Sequence, residues 1–315
     1  MSAVAHGGAT TSVAPGAGGP PPDAAAEKTG RRWTPYLLLL PGMLWLAIFF
    51  AVPMVFLAST SLQTGSLEQG YVLTFHFQTY VDALQSYWPQ FLRSFGYAAT
   101  ATIAGALIGY PLAYAIAFKS GKWKNFLLVL VIAPFFTSFL IRTLAWQTIL
   151  SNSSPVVKFF QVTGLMDVLQ FLGLTSNDQL MASKFAVIAG LTYNFLPFMV
   201  LPLYASLERL DPRLLEAAGD LYASPFTGFR KITFPLSLPG LVAGTLLTFI
   251  PAAGDYINSK LLGSTNTTMI GQVIDGQFLR VLDYPTAAAL SFVLMLSIVL
   301  LVSIYVRRAG TEELV

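Results

Sequence analysis

The sequence contains no cysteine and only two histidines, His6 and His76. Without cysteine, the chain forms no disulfide, no zinc-thiolate site and no iron–sulfur cluster. A phosphate-binding loop of the form G-x-x-x-x-G-K followed by Ser or Thr is also missing from the sequence. No nucleophile–base pair stands out, and two isolated histidines do not make a metal site. We therefore expect a chain that is not an enzyme and that binds no metal or cofactor of its own.

Charge is scarce as well. Charged residues make up 10% of the chain and hydrophobic residues 55%, with a mean hydropathy of +0.64, whereas soluble chains carry about 25% charge. This excess of apolar residues indicates lipid as the surrounding solvent. A net charge of +3 and a pI of about 9.0 would suggest nucleic acid in a soluble protein. Here the basic residues lie beside apolar runs, where they orient a membrane protein, so we expect membrane lipid and no nucleic acid as a partner.

Six apolar runs are each close to the ~20 residues that a helix needs to cross a bilayer. Backbone groups in lipid need internal partners, and the runs are continuously apolar, so they predict helices and not barrel strands. The predicted spans are 36–58, 94–118, 126–150, 185–207, 236–262 and 284–306. We therefore predict an all-α membrane protein whose domain, 33–308, contains six transmembrane helices. Residues 1–32, rich in Gly, Pro and Ala, predict a disordered tail, and 309–315 a short second tail.

Lysine and arginine set the predicted orientation, because they favour the cytoplasmic side of the membrane. If the N-terminus is cytoplasmic, twelve of the 18 lysines and arginines lie on that side. These twelve are Lys28, Arg31, Arg32, Lys119, Lys122, Lys124, Arg209, Arg213, Arg230, Lys231, Arg307 and Arg308. Both termini and the loop between predicted spans 4 and 5 are then cytoplasmic.

That loop contains the stretch LLEAAGDLYASPFTGFRKITFP, and we name residues 208–235 the 208–235 hairpin. Asp211 followed by Pro212 predicts the N-cap and first residue of a helix. Ser224 followed by Pro225 predicts the end of that helix and the start of a second one. Apolar residues recur between them at helical spacing. Such an element either lies on lipid headgroups as a solvated helix or docks a partner, and we favour a partner.

The 208–235 hairpin resembles the EAA loop of permease subunits in ATP-binding-cassette importers. In that family Glu-Ala-Ala is followed by a glycine and later by Ile-x-Leu-Pro. Glu216, Ala217 and Ala218 match the opening of this motif, and Ile232 and Pro235 match its end at the family spacing. The motif is specific for this class of transporter.

The hairpin departs from the family pattern at two positions. Phe234 stands where Leu is usual, and Tyr222 stands where a glycine is expected, although Gly219 lies three residues earlier. The second departure bears on the turn between the two helices. By this resemblance the loop is the coupling helix that docks in a groove on the ATPase subunit, where Glu216 faces a basic residue. The coupling residues that it implies are Glu216, Ala217, Ala218, Gly219, Asp220, Tyr222, Ile232 and Pro235.

The resemblance extends over residues 34–308 and is strongest to the spermidine/putrescine permease branch, in phrases such as APFFTSFLIRTLAWQTIL and PAAGDYINSKLLG. It implies a type I importer permease-like fold in the bacterial inner membrane. It also implies two ATP-binding subunits that hold ATP and Mg²⁺, a second homologous permease, and a periplasmic or lipid-anchored solute-binding protein that delivers a polyamine. Permeases for iron, opines or phosphonates share several of these phrases. An ion-coupled secondary transporter is a less favoured alternative. It predicts an inverted repeat and several buried carboxylates, whereas the sequence has no evident repeat and one acid deep within a predicted span.

Arg142 and Asp255 lie inside the predicted spans and are functional candidates, because a charge there costs about 2.5–3.5 kcal/mol on insertion scales. At 1.5 Å per residue, Arg142 is about 27 Å along predicted span 3 and Asp255 about 28 Å along predicted span 5. Both then lie toward the outer end of the bundle. Either Asp255 meets a cationic solute, or Arg142 and Asp255 form a structural pair or extend to the interface. The sequence leaves these alternatives open.

Neighbouring residues favour the solute pathway slightly. Pro251 and Gly254 loosen the helix near Asp255, and broken helices at membrane depth usually line a cavity. Tyr193 and Asn194 offer a ring face and hydrogen bonds to an ammonium group, although core packing accounts for Tyr193 equally well. The predicted pathway consists of Asp255, Tyr256, Tyr193, Asn194, Arg142 and Trp146.

Overall fold

The structure is a computed structural model that describes residues 34–176 and 178–309. The predicted tail 1–32 and nearly all of the predicted tail 309–315 lie outside the described residues. The α-helices are Thr34–Leu46, Val52–Ser61, Gln78–Tyr114, Lys124–Ile132, Phe139–Ile149, Pro155–Val162, Leu165–Phe171, Lys184–Glu208, Pro212–Asp220, Pro225–Gly228, Phe234–Ala253, Ile257–Leu262, Ile270–Gly276 and Tyr284–Ala309. The π-helical turns are Ala47–Ala51, Ala115–Lys119, Phe229–Thr233 and Gln277–Val281, and the 3-10 turns are Gly121–Trp123, Ala133–Phe136 and Thr265–Thr267. Strands Gln63–Ser66 and Gly70–Leu73 pair antiparallel.

Within the described residues, five helical segments are long and apolar enough to cross a membrane, or six if one bent pair counts as a span. In chain order, with the bent pair third, spans 1 to 6 are Tyr36–Ser61, Gln78–Lys119, Gly121–Phe136 with Phe139–Ile149, Lys184–Glu208, Pro225–Ala253 and Tyr284–Arg308. The predicted all-α membrane fold is confirmed, with one short β-ribbon between spans 1 and 2.

The chain divides into two compact units, one ending at Met54 and the other beginning at Val55. The first unit contains an apolar helix with Pro41 inside it, followed by a π-helical turn. The rings of Trp45 and Phe49 lie 4.2 Å apart on this helix. Its large side chains are exposed, as expected for a helix whose solvent is lipid.

The second unit is built around span 4, which packs along spans 2 and 5. In a membrane, helices associate through small residues that let their backbones approach closely. Gly240 and Gly244 of span 5 provide this approach, because a Cβ there would lie 2.6 Å from Pro202 O and 3.0 Å from Met199 O of span 4. A Cβ at Gly109 of span 2 would lie 3.2 Å from Met199 Cγ. Span 4 is thus held between two glycine-bearing neighbours.

Span 3 is bent by 96°, so the single helix predicted over 126–150 is wrong. Pro134 lies in the 3-10 turn Ala133–Phe136, and Thr137 then adopts extended backbone, with φ −110° and ψ 147°. Proline donates no backbone hydrogen bond and disfavours continuation of the helix before it. The predicted rise of Arg142 by about 27 Å along a straight helix is therefore wrong as well.

Span 5 ends at Ala253, before the end of the predicted helix 236–262. A short helix, Ile257–Leu262, begins after a break that contains Gly254 and Asp255. The predicted loosening of the helix at this position is confirmed. The predicted position of Asp255 along a continuous helix is wrong, because the helix stops two residues before it.

The connections on the side of the bundle opposite the 208–235 hairpin hold more structure than the sequence indicated. Span 2 begins at Gln78 and not at the predicted residue 94, so the segment before the predicted span is largely helical. Between spans 3 and 4 the chain forms the helices Pro155–Val162 and Leu165–Phe171. Ser154 caps the first of these by accepting a hydrogen bond of 3.2 Å from Val157 N.

The packing of span 5 on span 4 yields a testable consequence. We expect Gly240→Ala to destabilise the protein by about 1–3 kcal/mol, the usual range for overpacking. The added Cβ would lie 2.6 Å from Pro202 O and 3.2 Å from Leu203 Cα, and backbone atoms of a helix do not move aside easily. Thermal unfolding in detergent measures the effect. Gly105→Ala is the control, since no atom lies within 4 Å of its Cβ position; an equal loss in both variants would contradict the packing argument.

Candidate functional site

The 208–235 hairpin follows directly from the end of span 4 at Glu208. Asp211 caps the next helix, Pro212–Asp220, by accepting a hydrogen bond of 3.0 Å from Arg213 N. The predicted start of the helix is therefore confirmed. Beside it, Lys124 Nζ of span 3 lies 2.6 Å from Glu208 Oε1. This ion pair ties the beginning of span 3 to the end of span 4, where the hairpin departs.

The hairpin's first helix stops at Asp220, four residues before the predicted end at Ser224. The backbone N–H of Ala223 donates to Ala218 O at 3.0 Å, and that of Tyr222 donates to Gly219 O at 2.9 Å. Together these two bonds form a Schellman motif, which ends a helix by satisfying its last carbonyls. The motif places Tyr222 in the left-handed region, with φ of +59°. A glycine adopts this backbone without strain, and the family has a glycine at this position.

The second helix of the hairpin runs into span 5 without a flexible linker. Ser224 caps it by accepting a hydrogen bond of 3.3 Å from Thr227 N, as the sequence predicted. Helix Pro225–Gly228 continues through the π-helical turn Phe229–Thr233, which contains the half-buried Ile232, into the long helix that begins at Phe234. The hairpin's second half and span 5 therefore form one rod.

The hairpin presents an exposed apolar crest beside acidic residues. Leu221 is 82% exposed, Tyr222 98% and Phe226 71%. Glu216 and Asp220 are also exposed and lie one helical turn apart on the first helix. Ala217 and Gly219 are exposed and Ala218 is half-buried. Large apolar side chains at the tip of a loop, rimmed by charge, are typical of a protein–protein contact.

The second candidate region lies inside the bundle, where three polar side chains from three spans or their extensions meet. Asn194 Nδ2 of span 4 donates to Thr143 Oγ1 of span 3 at 3.3 Å and to Asn258 Oδ1 at 3.1 Å. We name Thr143, Asn194 and Asn258 the amide cluster. All three side chains are almost completely buried. Asn194 Oδ1 and Asn258 Nδ2 have no partner among the described residues, so one acceptor and one donor remain free to bind a polar group.

Asp255 supports the amide cluster from one side. Its Oδ1 accepts a hydrogen bond of 2.8 Å from Asn258 N and so helps to begin the short helix after the break in span 5. The residue is 8% exposed. Gly190 of span 4 lets this helix approach, because a Cβ there would lie 2.8 Å from Asn258 Oδ1. In this conformation the Asp255 carboxylate caps the short helix. Asn258 connects Asp255 to Asn194, because it forms a hydrogen bond with each of them.

No ion pair joins Arg142 to Asp255 in the part of the chain that the structure describes. The Arg142 guanidinium carbon lies 5.9 Å from the centre of the Phe135 ring and 5.6 Å from that of Phe139. Its Nε and Nη1 atoms are buried and have no hydrogen-bond partner within the described ranges. The hypothesis of a structural Arg142–Asp255 pair is therefore not realised in this conformation, while the role of both residues in a solute pathway stays a prediction.

The remaining predicted pathway residues are aromatic. The rings of Trp146 and Tyr193 lie 5.5 Å apart in an edge-to-face arrangement. Tyr193 is 37% exposed and Tyr256 is 42% exposed, so both present part of a ring face away from the core. Lys260 Nζ lies 5.8 Å from the centre of the Tyr256 ring and 2.7 Å from Asp275 Oδ2.

Sequence reasoning missed Thr143 and Asn258. Thr143 directly follows Arg142, and a threonine in an apolar run is a weak signal because threonine bonds readily to its own helix backbone, as Thr143 does to Phe139 O. Asn258 lies three residues after Asp255, the spacing at which a capping carboxylate accepts from a backbone N–H. That spacing was a usable signal for the restart of a helix. The arrangement of the whole region favours recognition of a polar solute and shows no paired acid and base for covalent chemistry among the described residues.

The strained turn of the hairpin gives a prediction. Tyr222→Gly should stabilise the helix Pro212–Asp220, because a non-glycine residue in the left-handed region costs about 1–2 kcal/mol and the Tyr222 side chain is 98% exposed. Hydrogen exchange of the hairpin amides should slow by about tenfold. Phe226→Gly is the control, since it removes another exposed ring of the hairpin from a helical position and should speed exchange. Faster exchange in Tyr222→Gly would show that the tyrosine stabilises the turn.

Comparison with known proteins adds the family. A model of the family described as "Binding-protein-dependent transport system inner membrane component" matches residues 105–309. The spermidine/putrescine transport system permease protein PotB of Escherichia coli (strain K12) is 37% identical over 266 residues, which cover 84% of this chain and 94% of that protein. PotB of Haemophilus influenzae is 35% identical over 265 residues, covering 84% of this chain and 90% of that protein.

Solved structures agree on the architecture. The chain matches a crystal structure of a bacterial ABC transporter involved in the import of the acidic polysaccharide alginate, with a TM-score of 0.60. The match has 20% identity and covers 88% of this chain and 95% of that chain. At this identity the likeness shows the fold alone, which is that of type I ABC importer permeases. With a family match and relatives that span most of its length, this multi-pass chain belongs to the inner membrane components of binding-protein-dependent transport systems.

Proposed function

We propose that this chain is the membrane-spanning permease subunit of an ATP-driven importer that takes up polyamines such as spermidine and putrescine. The observation that carries the coupling half of this proposal is the 208–235 hairpin, an exposed, separately capped pair of helices continuous with span 5. The substrate half is supported by the relatives, whose names give spermidine/putrescine transport as their activity. Such an importer alternates between outward and inward openings.

The proposed importer needs further subunits. Two ATP-binding subunits hold ATP and Mg²⁺, and the hairpin docks on one of them, with Glu216 facing a basic residue of its groove. The contact would bury the apolar crest of Leu221, Tyr222 and Phe226, which is exposed in the chain alone. A second homologous permease completes the pathway, and a periplasmic or lipid-anchored solute-binding protein delivers the solute. The hairpin and both termini then lie in the cytoplasm of a bacterium, as the distribution of lysine and arginine favours.

The proposed solute pathway passes the region around the amide cluster. Asn194 Oδ1 is a buried acceptor without a partner in the described ranges, and an ammonium group is a donor that matches it. The partly exposed rings of Tyr193 and Tyr256 offer cation–π contacts, with Trp146 packed behind Tyr193. The Asp255 carboxylate adds negative charge close by. These features support passage of a cation that carries several amines.

Arg142 favours a second candidate substrate. Its buried Nε and Nη1, which have no partner among the described residues, are charged donors of the kind that bind anionic oxygens. If the solute contacts this guanidinium, an anion such as a phosphonate or an opine fits better than a polyamine. Iron and other small solutes carried by related importers are less directly supported by these contacts.

Uptake measurements test the proposed function directly. Cells that lack this gene, complemented with wild type, should regain uptake of labelled spermidine or putrescine. Glu216→Lys should abolish the recovery, because it reverses the charge of an exposed acid in the hairpin. Asp167→Lys is the control, another exposed acid on a different helix, and should leave uptake intact. No deficit for either polyamine would reject the substrate, and full uptake by Glu216→Lys would reject the hairpin as the point of ATP coupling.

A second variant tests the charge of Asp255. Asp255→Asn should raise the external solute concentration needed for half-maximal uptake while assembly stays intact. The asparagine Oδ1 still accepts from Asn258 N, which is 2.8 Å from the carboxylate oxygen, so the cap survives and only the charge is lost. Asp255→Ala removes both and serves as the comparison. Unchanged transport in Asp255→Asn would leave this residue with a capping role only.

A further inference from the structure

Four aromatic rings join the base of the 208–235 hairpin to span 2. The Phe229 ring lies 5.7 Å from the ring of Tyr110, 6.2 Å from that of Tyr114 and 6.2 Å from that of Phe234. The rings of Tyr110 and Phe234 lie 6.0 Å apart. We name these four residues the aromatic clamp. Phe229 stands at its centre, and its edge-to-face contacts with the two tyrosines have the geometry that aromatic pairs prefer.

A hydrogen bond fixes the register of the clamp. The Ser237 hydroxyl donates to Phe234 O at 2.9 Å, so its oxygen accepts from Tyr110 Oη, which lies 2.7 Å away. Ser237 is fully buried, and a buried polar contact is costly to break because it leaves unpaired groups behind. Span 2 is therefore joined to the first turns of span 5 by both rings and a directed bond.

The clamp lies where the backbones of both helices are wound differently from their surroundings. The π-helical turn Phe229–Thr233 separates two clamp residues, and Phe234 N donates across it to Phe229 O. On the other side, the π-helical turn Ala115–Lys119 begins directly after Tyr114. Turns of this kind are rare and occur frequently at functional sites. Two π-helical turns therefore flank the same contact between spans 2 and 5.

The hairpin reaches the clamp over a very short distance. Helix Pro225–Gly228 ends at the residue before Phe229. Gly228 is buried, and Leu215 Cδ2 of the hairpin's first helix lies 3.9 Å from the Cβ position of Gly228. The second helix therefore leads directly into the clamp, and the first helix packs against the last residue of the second.

We propose that the aromatic clamp is the positioning element that passes a displacement of the 208–235 hairpin to span 2 as well as to span 5. This inference rests on the proposed function, since it assigns the residues through which ATPase movement enters the bundle. It also accounts for Phe234 where the family usually has Leu: a ring at this position contacts Tyr110 and Phe229, which an isobutyl group cannot do in the same geometry. Without the clamp, only the continuous rod of span 5 would follow the hairpin.

The first test is the number of solute molecules imported per ATP hydrolysed by the assembled importer in proteoliposomes. Phe229→Leu should lower this ratio by about three- to tenfold, because it removes three ring contacts at once. Phe229→Tyr keeps the ring and should restore it. Phe126→Leu is the matched control, since Phe126 is an exposed ring at the start of span 3 whose one ring contact within the described residues is with Trp123. An unchanged ratio in Phe229→Leu would overturn the proposal, even if ATP hydrolysis and transport both became slower.

The second test does not depend on the solute. Because the chain has no cysteine, spin labels can be placed on two introduced cysteines, at the exposed Lys119 of span 2 and the exposed Arg213 of the hairpin. In the full complex, the distance between the labels should stay constant between nucleotide-free and ATP-trapped states. In Phe229→Leu it should change between these states. A wild-type distance that changes as much as the variant's would overturn the clamp. A wild-type complex that hydrolyses no ATP would instead overturn the proposed function.

Discussion

Every backbone N–H and C=O within lipid needs a partner inside the protein, because the bilayer core offers no water. The chain meets this requirement with helices. Two of these helices break close to polar side chains that form hydrogen bonds. Span 3 breaks at Thr137 and span 5 at Gly254, and the segments beyond both breaks meet Asn194 of the unbroken span 4. Asp255 restarts one of these segments by capping it. At this site, interior polar groups lie where helix breaks and side-chain partners occur together.

Local chemistry made part of this architecture predictable. The length of each apolar run predicts a span, and the pairs Asp211–Pro212 and Ser224–Pro225 predict helix starts, because capping depends on neighbouring residues alone. The break near Gly254 was predictable for the same reason. The stop of the hairpin's first helix was not, since a tyrosine is an uncommon residue at a left-handed turn. A glycine at position 222 would have predicted the end of this helix.

Features that depend on distant contacts escaped prediction. Pro134 accompanies a bend of 96°, yet Pro111 and Pro202 lie inside unbroken helices. A proline alone therefore does not tell which helix bends; neighbouring helices decide whether its freed backbone groups find partners. Asn258 likewise acquires its position from Asn194, 64 residues earlier in the chain. No spacing rule connects two amides so far apart.

Span 5 links the two candidate regions physically. Its helix Phe234–Ala253 has 20 residues, a length of about 30 Å, with a π-helical turn at the hairpin end and the Gly254 break at the other. Gly240 and Gly244 hold it against span 4, which carries Asn194. A coupling pathway needs an element with two discrete positions rather than mere proximity. A stiff helix that is packed closely along its length can carry a displacement from one end to the other as a body.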